Sequence, residues 1–340
     1  MARIHSLVAA AGIVVLAGCS AVGSGDPAPS ASAGTVTLVT HDSFGLSDGI
    51  LEAFEEQSGL TVDVVEQGDA GALVNQLVLT SDAPLGDLVF GIDNSFASRA
   101  VDEGVVAPTS TPDAFEGALV PIDYGDVCIN VDHAWFTANG VAEPATLEDL
   151  TEPEYKDLLV VPNAVTSSPG LSFLLATVGA FGEDGWQAYW TALKANGVKV
   201  ADGWSDAYYT DFSGGGGGGP RPIVLSYASS PPYTVPEGGT EPTTGALLGT
   251  CFRQTEYAGV LAGADNPEGA QQLLDFLLTD QVQDDIPVSM YMYPVSPTAT
   301  LPPEWAAFAP LASDPFEVAP EVIDANREPW LTEWSDTVIG

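Results

Sequence analysis

The chain alternates short β-branched apolar runs with segments whose apolar residues return every three or four positions. Thr35–Thr40 (TVTLVT) has the length and composition of a strand. Residues 48–58 carry apolar side chains at helical spacing and stop at Gly59, placed to end a helix. A second strand is predicted over 60–65, a turn at Gly68 and Asp69, a helix over 71–80, and a buried strand over 87–92 (DLVFGI). A β-α-β-α-β order implies a parallel sheet with its loops gathered at the strand C-termini. Further strands are predicted over 127–131, 158–161 and 223–227, and helices over 171–181 and 185–196. Residues 266–278 form an amphipathic helix, opened by Pro267 and striped by Ala270, Leu273, Leu274 and Leu277. A last helix covers 321–338, with Trp330 and Trp334 four apart and assigned to core packing.

The N-terminus changes this picture from a simple α/β body to an exported one. Arg3 and His5 precede an apolar run over 7–16, too short to span a bilayer. The run closes as Leu16-Ala17-Gly18-Cys19, which resembles the bacterial lipobox. That resemblance implies a signal peptide over 1–18, lipidation of Cys19 and anchoring outside the cytoplasmic membrane. Residues 19–34, rich in Gly, Ala, Ser and Pro, are expected to form a flexible tether.

Composition narrows the partners. Eight Lys and Arg stand against 47 Asp and Glu, a net charge of −39, which excludes nucleic acid as a partner because its binding needs basic residues. The same acidity serves solubility and permits a cationic ligand. Cys128 and Cys251 can form one disulfide in an exported chain, or remain two separate buried thiols. The glycine run 214–219, followed by Pro220, lacks the Lys-Ser/Thr of a phosphate loop and reads as a flexible surface loop. His5, His41 and His133 are scattered and no metal or G-x-S-x-G pattern appears, so neither a metal site nor a serine-hydrolase triad is expected.

Seven motifs, in order, resemble the thiamine-binding proteins of bacterial ABC importers. They are His41-Asp42-Ser43-Phe44, Gly91-Ile92-Asp93-Asn94, Pro121-Ile122-Asp123-Tyr124-Gly125, Thr166-Ser167-Ser168-Pro169-Gly170-Leu171, Gly203-Trp204-Ser205-Asp206-Ala207-Tyr208, Leu225-Ser226-Tyr227-Ala228-Ser229-Ser230-Pro231, and Ile286-Pro287 leading to Met292-Tyr293-Pro294-Val295. The resemblance implies an α/β, two-lobed type II periplasmic binding protein fold with a ligand cleft between the lobes. It implies a first lobe over 35–124 with a return over roughly 252–290, and a second over 125–251 with roughly 291–340, the first crossing at Tyr124-Gly125. It implies no enzyme activity and no cofactor. Thiamine is the transported ligand, the permease and ATPase subunits of an ABC importer are the partners, and the protein is a monomer.

The same resemblance assigns ligand contacts to Asp69, Ala70, Ser167, Ser168, Trp204, Tyr227, Ala228, Ser229, Ser230, Tyr233 and Tyr291. Such a set suits thiamine chemically, because an aminopyrimidine and a cationic thiazolium need aromatic faces, carboxylates and small polar groups. Three positions depart from the family pattern. Val165 stands where relatives carry Arg, His41 where they carry an aromatic residue, and Ala70 where they carry Gly. The missing Arg implies a preference for free thiamine over its phosphates. Two alternatives use the same fold: a thiaminase-like transferase with Cys128 as nucleophile, and capture of ferric iron or a polyamine.

Overall fold

A computed structural model describes residues 34–340; the predicted signal peptide, Cys19 and all but the last residue of the predicted tether lie outside the described residues. The strands are β1 Thr35–Thr40, β2 Thr61–Glu66, β3 Leu88–Asp93, β4 Val120–Asp132, β5 Leu159–Pro162, β6 Lys199–Ala201, β7 Ile223–Tyr227, β8 Thr244–Ala246, β9 Phe252–Val260 and β10 Tyr293–Pro294. The helices are α1 Ile50–Ser58, α2 Ala70–Leu79, α3 Ala97–Asp102, α4 His133–Asn139, α5 Ser168–Phe181, α6 Trp186–Ala195, α7 Pro267–Leu277, α8 Asp280–Ser289, α9 Trp305–Phe308 and α10 Pro320–Trp334. No described helix is long and apolar enough to cross a membrane.

All ten strands join one sheet in the order β2-β1-β3-β9-β4-β7-β5-β6, with β8 and β10 attached to β4. The outer strands on each side run parallel, as the β-α-β order requires. In the middle, β9 and β4 pair antiparallel and carry the chain between two halves. Strand β4 pairs with β9 from Val120 to Val127, then exchanges that partner for β7 from Val127 to Val131. Each half is thus an α/β unit, and the sheet bends from one into the other through two strands. This is the two-lobed architecture.

The crossing is reinforced by covalent and ionic links. Cys128 and Cys251 are bonded, one step beyond the last β4–β9 pair, Val127↔Phe252. Two residues back, Arg253 grips the buried Asp126 through both nitrogens, Nε at 2.8 Å and Nη2 at 3.0 Å. The 123-residue separation of the cysteines spans the excursion of the chain through the second half, which is therefore stapled at its base.

The core follows the strand and helix faces. Val36, Leu38, Leu88 and Phe90 pack with Leu273, Leu274 and Leu277 of α7, the stripe read from the sequence. Trp330 and Trp334 are buried, and Trp334 meets Trp190 edge-on, ring centres 5.5 Å apart. The glycine run is a loop, exposed at 216–218, and parts of it lie close against neighbouring backbone. A Cβ on Gly215 would lie 2.0 Å from the Tyr208 carbonyl oxygen, and one on Gly217 1.7 Å from that of Tyr209. Those glycines lie flat against the tight turn 206–211, where no larger residue fits.

Loop-closure entropy over 123 residues makes the disulfide worth about 5 kcal/mol. Urea unfolding with and without a reductant is expected to show a correspondingly large fall in midpoint on reduction. An unchanged midpoint would show that the staple contributes nothing.

Candidate functional site

Between the two halves lies a cleft of about 280 Å³, built from loops that leave the ends of strands. From the first half come residues 41–45 after β1, Asp69 and Ala70 at the start of α2, and Glu256 on β9. The second half supplies Ser168 and Pro169 at the start of α5, then Trp204, Ser205 and Tyr209, and Tyr227 at the end of β7. Residues 289–292, following α8, close one side. Its charged lining is acidic apart from His41: Asp42, Asp69 and Glu256.

Asp69 holds the halves together. It caps α2, its Oδ1 accepting from Ala70 N at 2.7 Å. The same oxygen accepts from Ser168 N at 3.1 Å, and Oδ2 accepts from Trp204 N at 2.9 Å. One buried carboxylate therefore satisfies backbone donors from three segments, two of them across the cleft. Each bond to an ionised acceptor is stronger than a neutral one. Ser168 adds a second tie, donating its hydroxyl to Asp93 on β3. Ala72 N also donates to Thr166 O at 3.0 Å, and the Ser43 and Ser205 hydroxyls lie 3.2 Å apart.

Aromatic rings make the opposite wall. Trp204 stacks on Tyr208 with 5.1 Å between ring centres and 17° between planes, and meets Tyr209 and Tyr227 edge-on. Its indole nitrogen donates to Ser226 Oγ at 3.0 Å, which fixes the ring. Tyr291 has φ 62°, a left-handed conformation uncommon for a bulky residue. Its ring packs against Tyr233 at a tilt of 40°, ring centres 3.9 Å apart.

Behind the lining runs a row of acidic side chains, which reaches the cleft at Glu256. Asp93 on β3 and Asp123 on β4 each pair in register with Glu256 on β9, so three carboxyls stand abreast in one row. All three are buried. Asp93 accepts from Ser95 N, Ser95 Oγ and Phe96 N as well as from Ser168, yet burial pushes its carboxyl up to about 6. Burial and the neighbouring Glu256 push the Asp123 carboxyl well above the usual carboxylate range. Gln254 links Glu256 (3.1 Å) to the Tyr227 hydroxyl (3.2 Å). His41 lies at the edge of the row, its Nε2 3.6 Å from Glu256 Oε1. The ring fits because Gly91, at φ 97°, has no Cβ; one there would lie 2.0 Å from the His41 Cδ2 atom.

The cleft collects Asp69, Ala70, Ser168, Trp204, Tyr227 and Tyr291 from the sequence assignment. Ser167, Ala228, Ser229, Ser230 and Tyr233 stand outside its lining. Ser167 caps α5, accepting from Gly170 N. Ser230 Oγ bonds Ser226 and Tyr227 N, and Ser229 donates to the Tyr291 carbonyl, so both brace lining residues. Ala228 packs beside the disulfide, and Tyr233 backs Tyr291. Glu256, Tyr209, Met290 and Met292 were not singled out. Glu256 lies in a strand that polar Arg253 and Gln254 hide from an apolar-pattern reading, though Gln254 and Glu256 do share one face at period two.

A carboxyl pushed upward by burial is most stabilising while protonated, below its unfolded value near 4, and that contribution is lost as pH rises through the folded value. Unfolding free energy is therefore expected to fall as pH rises from about 4 through 6, where Asp93 ionises, and onward as Asp123 does. Asp123→Asn, which keeps the shape without the charge, is expected to reduce that fall. Parallel pH profiles of wild type and variant in urea unfolding would contradict the assignment.

Comparison with known proteins places this geometry. A family model for bacterial extracellular solute-binding proteins matches residues 83–315. The thiamine-binding periplasmic protein of Brucella suis is 30% identical over 322 residues, covering 90% of this chain and 93% of its own. That of Salmonella typhimurium is 29% identical over 324 residues, with 92% and 95% covered. A solved structure of a periplasmic thiamin binding protein superposes with a TM-score of 0.78 at 28% identity, covering 89% of this chain and 96% of that one. Iron-bound HitA from Pseudomonas aeruginosa shares the fold, with a TM-score of 0.70 at 20% identity and coverage of 89% and 99%. The chain belongs to the bacterial extracellular solute-binding proteins, and within them it is similar to the thiamine-binding periplasmic proteins.

Proposed function

We propose that this protein captures thiamine and delivers it to an ABC importer, working as a binding protein without catalysis. The observation that carries this reading is the pairing of surfaces in the cleft. Rings of Trp204, Tyr209, Tyr227 and Tyr291 face the carboxyls of Asp42, Asp69 and Glu256, in a chain similar throughout to thiamine-binding proteins. A flat cationic thiazolium gains roughly 0.5–2 kcal/mol from each well-placed ring. On this reading the protein is a monomer held outside the cytoplasmic membrane by lipid on Cys19.

Free thiamine is the preferred form. A helix N-terminus is the natural seat of a phosphate, yet at α5 the Ser168 N–H is already taken by the Asp69 carboxylate. With Val165 in place of an Arg, no cation stands there to offset the added repulsion.

The competing readings meet specific obstacles. A thiaminase-like reaction needs a free thiolate, and Cys128 is bonded to Cys251. A ferric site needs converging tyrosinates, whereas the Tyr227 hydroxyl turns to Gln254 and the Tyr233 hydroxyl to the Pro287 carbonyl. A polyamine could use the same acids, but it would leave the flat aromatic wall without a ring to stack on.

Isothermal titration is expected to give one-to-one thiamine binding in the submicromolar range, with thiamine diphosphate at least about tenfold weaker. Trp204→Ala is expected to weaken thiamine by about tenfold or more. Equal affinities for the two ligands would overturn the free-thiamine preference. Tighter binding of spermidine than of thiamine would overturn the choice of cargo.

A further inference from the structure

His41 stands apart from the rest of the cleft lining. It is 8% exposed, and its Nε2 has no hydrogen-bond partner among the described residues although the side chain lines the cleft. Around it are Glu256 from β9, Asp69 from the start of α2 and Asp42 beside it in the chain, with Asp206 acting on Asp42 in turn. Strand β3 contributes only the Phe90 ring and the Gly91 backbone. No Lys or Arg is among the residues lining the cleft, so His41 alone can supply positive charge there.

Two influences act on its ring in opposite directions. The carboxylates favour an imidazolium and hold His41 above its ordinary value, outweighing the opposing effect of burial. Against them, Nδ1 accepts the Ser43 N–H at 3.1 Å, which requires a lone pair there and therefore a neutral ring. Ser43 in turn meets Ser205 of the other half at 3.2 Å. A proton on Nδ1 would break the first contact and disturb the second.

We propose that His41 is the charge-balancing residue of the empty cleft, and that a bound cation takes its place. Without ligand, the imidazolium offsets Glu256 and Asp69. When the cationic ring of the ligand arrives, the Nδ1 proton leaves to solvent and the freed lone pair accepts the Ser43 N–H. The neutral ring is the form that accepts the Ser43 N–H, as the geometry here shows. Capture of one cation releases one proton, and His41 discriminates against neutral ring compounds, which cannot replace the charge it gives up. This rests on the thiamine reading of the site and adds a specificity-determining residue where relatives carry an aromatic.

The test is calorimetry of the full chain with thiamine at pH 6, 7 and 8, in phosphate and in Tris, whose ionisation enthalpies differ. About one proton released per thiamine near neutral pH is expected, with affinity at least about fivefold higher at pH 8 than at pH 6. In His41→Gln, release is expected to fall to near zero and affinity to vary less than about twofold from pH 7 to 8, above the range in which Asp93 titrates. Should that variant not fold, the imidazole proton resonances of the wild-type chain give the same answer. The buried histidine is expected to titrate at lower pH with thiamine bound than without. Thiamine binding with no proton release, or with equal release in His41→Gln, would overturn the proposal and leave the thiamine reading standing. Absence of thiamine binding at every pH would overturn both.

Discussion

The structure depends on one carboxylate that accepts from both sides of a cleft. Asp69 takes N–H donors from α2, from α5 and from the Trp204 backbone, so the position of each half is referred to the same two oxygens. Ser168, bonded to Asp69 and to Asp93 on β3, adds a second junction of the same kind. The sheet beneath it can bend, because only β4 and β9 run between the halves, and the disulfide and the Asp126–Arg253 pair fix where that bend begins. Two α/β halves, the β4–β9 crossing and an acidic tie across the cleft together frame the site.

The acidic row follows from strand register. Three carboxyls abreast across β3, β9 and β4 disfavour one another's ionisation in a buried row, and the upward push on Asp123 is the consequence. The net charge of −39 acts at long range, raising the local concentration of cations. Specificity then falls to the aromatic wall, since attraction alone accepts any cation while flat rings select a flat one.

The legible parts of the fold were those whose pattern is local. Strands β1 and β3, helix α1 with its Gly59 end, and the striped helix α7 can be read within ten residues each. Strand β9 and the first half of β4 cannot, because Asp123, Asp126, Arg253, Gln254 and Glu256 sit where a strand pattern expects apolar residues. Those residues are polar because they make the crossing, with the Asp126–Arg253 pair, and the acidic row that reaches the cleft at Glu256. Helix α8 was hidden for a different reason, having Pro287 in its interior. At the site, Trp204, Tyr227 and Asp69 were reached through motif resemblance, but Glu256 and Tyr209 came from tertiary register that no local spacing records. Ser229 and Ser230 bond residues that line the cleft, a relation that a linear motif does not record.

A crystal structure of the protein with thiamine tests the central claim most directly. The account predicts the thiazolium ring between the aromatic wall of Trp204, Tyr209 and Tyr227 and the carboxyls of Glu256 and Asp69, with the Asp69 contacts to Ser168 and Trp204 intact. A ligand seated outside that cleft, or one whose entry breaks the Asp69 contacts, would contradict it.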